Sequence, residues 1–175
     1  MITAIKLIFL DIDGVLNSDR SRLAFDRDEL LSIAHSTVLT IDSVSVGLLN
    51  KLIDATSAKV VISSSHRTMF RSFNSLDKFT LPDLREYFSD LGVKADVIDA
   101  IPIIGKATRG EEIDSWMTSF AYNNKDLAIE SYVIFDDYEE MLESQAPFYV
   151  KTDPAVGIAV VDYWKAYHIL CSPLN

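Results

Sequence analysis

The stretch FLDIDGVLN, residues 9 to 17, closes an apolar run with Asp11 and Asp13, two positions apart, and follows them at once with Gly14. Further along, Ser63, Ser64 and Ser65 precede His66 and Arg67, Lys106 and Arg109 precede a helical pattern, and Asp136 and Asp137 end another apolar run. Brought together, four carboxylates repel, and each is pushed toward protonation unless a cation sits among them. Magnesium relieves that conflict, because it takes hard oxygen ligands in octahedral geometry and keeps water or substrate phosphate in its shell. The chemistry that suits these residue types is therefore hydrolysis of a phosphate monoester. Asp11 is placed to attack phosphorus in line and form an aspartyl-phosphate, and Asp13 to protonate the leaving oxygen and later activate water. Ser64 or Ser63 would donate to phosphate oxygens, and Arg109 or Lys106 would neutralise developing charge. Asp11, Asp13, Asp136 and Asp137 are the expected metal ligands, with Asp136 in direct contact and Asp137 orienting. Ser65, His66 and Arg67 fall on the substrate side.

Such a site needs elements that end together. Residues 5 to 10 (IKLIFL), 58 to 63 (AKVVIS), 131 to 136 (SYVIFD) and 147 to 151 (PFYVK) are short apolar runs that read as buried parallel strands. Val44, Leu48, Leu49, Leu52 and Ile53 recur at helical spacing before the second run, and Ile113, Trp116, Met117 and Phe120 before the third. The alternation predicts an α/β, Rossmann-like, three-layer domain with a mainly parallel sheet. Ligands collect beyond the carboxyl ends of such strands, which is where the acidic and hydroxyl residues fall. Residues 18 to 42 are polar and weakly periodic, and are expected as a loop or hairpin. Residues 68 to 100 are expected to hold one or two helices, with DLREYFSDLG capped at Gly92. ADVIDAIPII, residues 95 to 104, is expected to add a strand whose pairing Pro102 restricts.

DIDGVLN resembles the first motif of the haloacid dehalogenase (HAD) superfamily of phosphohydrolases, in which the first Asp is the nucleophile and the Asp two positions later the general acid and base. KVVISSSHR resembles the second motif and VIFDD the acidic fourth, while GKATRGEEIDSWM supplies the basic residue of the third. A RGEEI helix, then YVIFDD and FYVKTDPAVGI, is similar to small HAD domains of phages and bacteria, some associated with RNA repair polypeptides. That pattern favours Ser64 and Arg109 as the motif residues. Those relatives often carry a Trp-Arg pair where His66 and Arg67 stand here. The resemblance implies a Mg2+-dependent phosphatase, and an acid at position 13 favours transfer to water. The intervals between motifs must also supply core helices, so a large cap domain does not fit, and the cleft is expected to be open or closed by a second copy in a homo-oligomer. The implied substrate is a phosphorylated small molecule or nucleotide, or a nucleic-acid end. Two rivals are a non-catalytic module that binds a phosphorylated ligand or protein partner, and a phosphotransferase.

The chain of 175 residues is expected to form one domain, 1 to 175. Its 16 Lys and Arg against 26 Asp and Glu give a net charge of -10, which opposes an extended nucleic-acid surface. Cys171 is alone, so no internal disulfide or cysteine-rich zinc site forms. No signal-peptide pattern opens the chain, and no apolar stretch approaches the ~18 residues that span a bilayer, so a cytoplasmic protein without membrane contact is expected. Simpler readings compete at each motif. Asp-Gly is turn chemistry, and the serine run could only cap a helix. An EF-hand fails because Gly14 comes fourth in the loop, and GKAT at 105 to 108 fails the phosphate-loop pattern at Ala100 and Ala107. Trp116, Trp164, Tyr163 and Tyr167 are expected to pack core or surface.

Overall fold

The computed structural model describes residues 2–24, 40–65, 81–138, 140–172 and 174. Five strands, β1 (Thr3–Leu10), β2 (Lys59–Ile62), β3 (Val97–Ala100), β4 (Leu127–Asp136) and β5 (Tyr149–Lys151), pair in parallel in the order β3-β2-β1-β4-β5. The last four residues of β1 and the last six of β4 are buried, as central strands covered on both faces must be. Alternation along the strands divides the core in two. Ile8, Leu10, Val60, Ile62, Val133 and Phe135 face one layer, and Leu7, Phe9, Val61, Tyr132 and Ile134 face the other.

The helices are α1 (Asp19–Ala24), α2 (Ser43–Thr56), α3 (Leu81–Asp90), α4 (Arg109–Asn123) and α5 (Val160–Leu170). Val46, Leu49, Leu52 and Ile53 of α2, Phe88 of α3, and Ala166 and Leu170 of α5 cover the first layer. Ile113 and Trp116 of α4 cover the second. The result is the three-layer α/β arrangement that the strand and helix pattern predicts.

Local chemistry sets the helix ends. Asp42 caps α2 by accepting the N–H groups of Val44 at 2.8 Å and Ser45 at 3.4 Å. Its carboxyl is raised by burial but lowered further by hydrogen bonds from Arg20, Val44, Ser18 and Ser45, so it lies below its ordinary value. At the end of α3, Gly92 adopts φ 76°, its N–H donates to Ser89 and that of Val93 to Phe88. This is a Schellman cap with buried Phe88 and Val93 as its apolar pair.

The structure departs furthest from the sequence expectation at four places. Residues 19–24, expected in a loop or hairpin, are helical, because the backbone N–H groups of Asp19 and Arg20 dock on the carbonyls of Pro154 and Ala155; residues 25–39 lie outside the described set. Pro147 and Phe148 belong to a 3-10 helix, Glu143–Phe148, and β5 starts only at Tyr149, since proline has no N–H for a ladder. β4 begins at Leu127 because it pairs along the full length of β1, past an irregularity between Ile5 and Lys6. Residues 160–170, for which the sequence pattern predicts no element, form helix α5. Of residues 68 to 100, positions 68–80 lie outside the described set.

Candidate active site

Backbone pairing continues one residue beyond the strands, and this aligns the candidate residues. The N–H of Asp11 donates to Phe135 at 3.0 Å, and that of Ser63 to Leu10 at 2.9 Å. Asp11, at the end of β1, therefore sits between the ends of β2 and β4. The chain then turns, with the N–H groups of Val15, Leu16 and Asn17 all aimed at the Ile12 carbonyl. Gly14 holds φ 68°, and a Cβ there would stand 2.5 Å from an Asp137 carboxylate oxygen. Only glycine meets both demands. The Thr152 hydroxyl donates to the Gly14 carbonyl at 2.9 Å, tying this turn to the segment after β5.

Asn17 is buried and uses both ends of its amide. Its oxygen accepts the Gly14 N–H at 3.0 Å, and its nitrogen donates to Asp13 Oδ1 at 2.6 Å. Arg22 of α1 donates to the same Asp13 oxygen at 3.1 Å. Asp13 is thus presented at the cavity by two donors.

At the end of β4, Asp136 is 1% exposed. One of its oxygens accepts the Tyr138 N–H at 2.9 Å, and the other has no hydrogen-bond partner among the described residues, with Arg109 Nε 3.4 Å away. Burial, then the Asp11 charge, pushes the Asp136 carboxyl up to about 7. Burial and Asp11 raise Asp137 as well. Asp11, Asp136 and Asp137 each bring a carboxylate oxygen within 4.8 Å of the others. An all-oxygen donor set, an orphaned buried oxygen and two carboxyls raised by burial and by the Asp11 charge fit a hard divalent cation such as Mg2+. Asp13, also expected as a ligand, is not in this group of three.

A cavity of about 210 Å³ joins these carboxylates to Asp13, Arg109, Ser65, Tyr138 and Glu140. Arg109 opens α4, behind a capping box in which Thr108 accepts from the Glu111 N–H and Glu111 accepts from the Thr108 N–H. A cation is disfavoured at a helix start. Here Glu112 at 3.6 Å and Asp136 at 3.4 Å offset that cost and hold the guanidinium, whose side chain is 16% exposed. Lys106 is exposed and does not line the cavity. Ser63 and Ser64 are fully buried, while Ser65 lines the cavity. His66 and Arg67 lie outside the described residues.

A family model described as the HAD domain in Swiss Army Knife RNA repair proteins matches residues 7–162. The chain belongs to this HAD family. Among solved structures, the HAD domain of effector protein Lem4 from Legionella pneumophila is similar, at 14% identity over 93% of each chain with a TM-score of 0.48. No curated protein matches the chain. Among the described residues, no helix of this HAD domain is long and apolar enough to cross a membrane.

Sequence reasoning did not single out Asn17, Arg22, Glu112, Tyr138 or Thr152. Asn17 carried one faint signal, as the only polar residue after the glycine in DGVLN. The others are defined only by what they touch in the folded chain.

Proposed function

We propose that this HAD domain is a magnesium-dependent phosphomonoester hydrolase working through an aspartyl-phosphate on Asp11. The observation that carries this is the convergence of Asp11, Asp136 and Asp137 within 4.8 Å, beside Asp13 and Arg109. Asp11, Asp136 and Asp137 would hold Mg2+, which when bound supplies Lewis-acid polarisation of phosphoryl oxygens. Asp11 attacks phosphorus as the bond to the leaving oxygen breaks, and Asp13, held by Asn17 and Arg22, gives that oxygen its proton. Asp13 then takes a proton from water, whose oxygen attacks the acyl phosphate and releases Asp11 and inorganic phosphate. Arg109 balances charge on the transferring group. The serines, with Ser64 as the motif residue and Ser63 and Ser65 beside it, together with His66 and Arg67, form the substrate side of this reading, and Lys106, which does not line the cavity, would act only on parts of a substrate outside it.

The substrate class is a nucleotide or a nucleic-acid end, which the RNA repair description of the family supports. The lone Cys171 suits a reducing compartment such as the cytoplasm, and we take residues 1 to 175 as one domain.

Purified protein with magnesium is expected to hydrolyse para-nitrophenyl phosphate. Asp11→Asn should reduce that rate by at least about 10³-fold while circular dichroism stays unchanged. Equal rates in the two proteins would refute Asp11 as nucleophile. Inactivity of the natural protein across a broad phosphatase panel, with ligand binding retained in calorimetry, would instead establish the binding-module reading.

A further inference from the structure

The cavity that gathers the carboxylates measures about 210 Å³, smaller than the roughly 300–1,000 Å³ of pockets that enclose a whole ligand. It accommodates the phosphoryl end of an ester, and the leaving group has to rest on the rim. Among the described residues lining the cavity, Ser65, Glu140 and Tyr138 are the exposed ones, and of these only Tyr138 offers an apolar face. Tyr138 is 66% exposed, a large aromatic residue left in water.

The ring is nonetheless carried on a fixed backbone. The Tyr138 N–H donates to Asp136 Oδ1 at 2.9 Å, and its carbonyl accepts the Tyr149 hydroxyl at 2.8 Å. That hydroxyl also reaches the Asp136 carbonyl at 3.1 Å. The residue that holds the most buried carboxylate of the site thus bears the exposed ring, two positions along the chain from Asp136. On a fixed backbone a tyrosine ring has two side-chain torsions to settle, so stacking a flat group on it costs little ordering. Glu140, exposed on the same rim, and the net charge of -10 repel leaving groups that carry further phosphates.

We propose that Tyr138 is the specificity-determining residue of the site, stacking on a planar, uncharged leaving group, so that the preferred substrates are monoesters of aryl alcohols or single nucleosides. This rests on the phosphatase reading above and narrows its substrate class.

The test uses pairs with and without an aromatic group, adenosine 5′-monophosphate against ribose 5-phosphate and phenyl phosphate against cyclohexyl phosphate, and compares each pair's ratio between protein variants so that differences in leaving-group reactivity cancel. With magnesium present, kcat/KM is measured for each in the natural protein, Tyr138→Phe and Tyr138→Ala. The ratio of aromatic to non-aromatic substrate is expected to fall about tenfold in Tyr138→Ala, within the range of base–aromatic stacking, and to survive in Tyr138→Phe. A fall confined to one pair identifies the ring as nucleobase or aryl. Equal losses within both pairs, or no loss in either, overturn the proposal. If the natural protein hydrolyses none of the four, the phosphatase reading fails, and calorimetric Kd values for the same compounds then decide the stacking claim. The same ratio change in Kd upholds it, and uniform changes or no binding of the aromatic members overturns it.

Discussion

Asn17 shows how one amide sets the presentation of a catalytic group. Because the Gly14 N–H fixes the amide oxygen, the nitrogen must point at Asp13 Oδ1, 2.6 Å away. Asn17→Asp keeps the acceptor for Gly14 but sets a carboxylate oxygen against another, so Asp13 is driven from its place. Misplacement of a reacting group by about 1 Å costs on the order of 10²-fold. The expected outcome is a kcat lower by about 10- to 100-fold with a smaller change in KM, and the check is the kcat and KM split at unchanged circular dichroism. Unchanged kcat would remove Asn17 from the positioning of Asp13. The carboxylates themselves were legible in the chain, because each follows an apolar run and the edge of a parallel sheet is where such runs end. The clamp on Asp13 was not, since a polar residue four positions away acquires its role only through the turn that folds it back.

Among the elements, the start of α4 and the segment before β5 form one unit. Gln145, buried at 1% exposure, donates to the Gly110 carbonyl at 2.9 Å and accepts the Leu142 N–H at 3.0 Å. The Gly110 N–H donates to Glu140, and a Cβ on Gly110 would stand 2.5 Å from the Leu142 nitrogen. This knot holds Arg109, the preceding residue, against Asp136. Gln145→Ala removes the acceptor of the half-buried Leu142 N–H and the donor on the Gly110 carbonyl, which keeps its place in the first turn of α4. Urea unfolding is expected to show a loss of roughly 1–3 kcal/mol, and kcat should fall as Arg109 loosens. A stability within 0.5 kcal/mol of the natural protein's, the range of an ordinary surface change, would show the knot to be dispensable. Strands and the two long amphipathic helices were readable from periodicity, which is local. The helix at 19–24, the 3-10 helix over Pro147 and the docking of Gln145 were not, because the groups that satisfy them come from distant parts of the chain.

The whole molecule carries its acidity against its own stability. With Asp136 pushed up to about 7, the folded chain keeps a proton that the unfolded chain has released above about pH 4. Stability therefore declines as pH rises from about 4 to about 7 and levels off above, by on the order of 4 kcal/mol at about 1.4 kcal/mol per tenfold change. Asp137, also raised, acts in the same sense. Asp42 runs the other way: its lowered carboxyl contributes above the ordinary carboxylate range and is lost as pH falls through its folded value. Metal-free protein should accordingly melt highest at about pH 4. Magnesium should raise Tm more at pH 8 than at pH 5, because it binds the ionised carboxylates of the folded state. Melting curves in chelator and in magnesium at the two values check this, and a magnesium shift that is larger at pH 5 would contradict it.

Sequence alone determined the α/β class, the parallel sheet and the edge on which the acidic and hydroxyl residues gather, because burial pattern and strand ends are written in short windows of the chain. Tertiary structure decided which of those residues share one cavity, with Arg109 and Ser65 lining it and Lys106 outside it, and which others serve them, as Asn17, Glu112 and Tyr138 do. Those choices depend on how segments far apart in sequence meet, and a side chain's neighbours across such a junction leave no periodic trace along the chain.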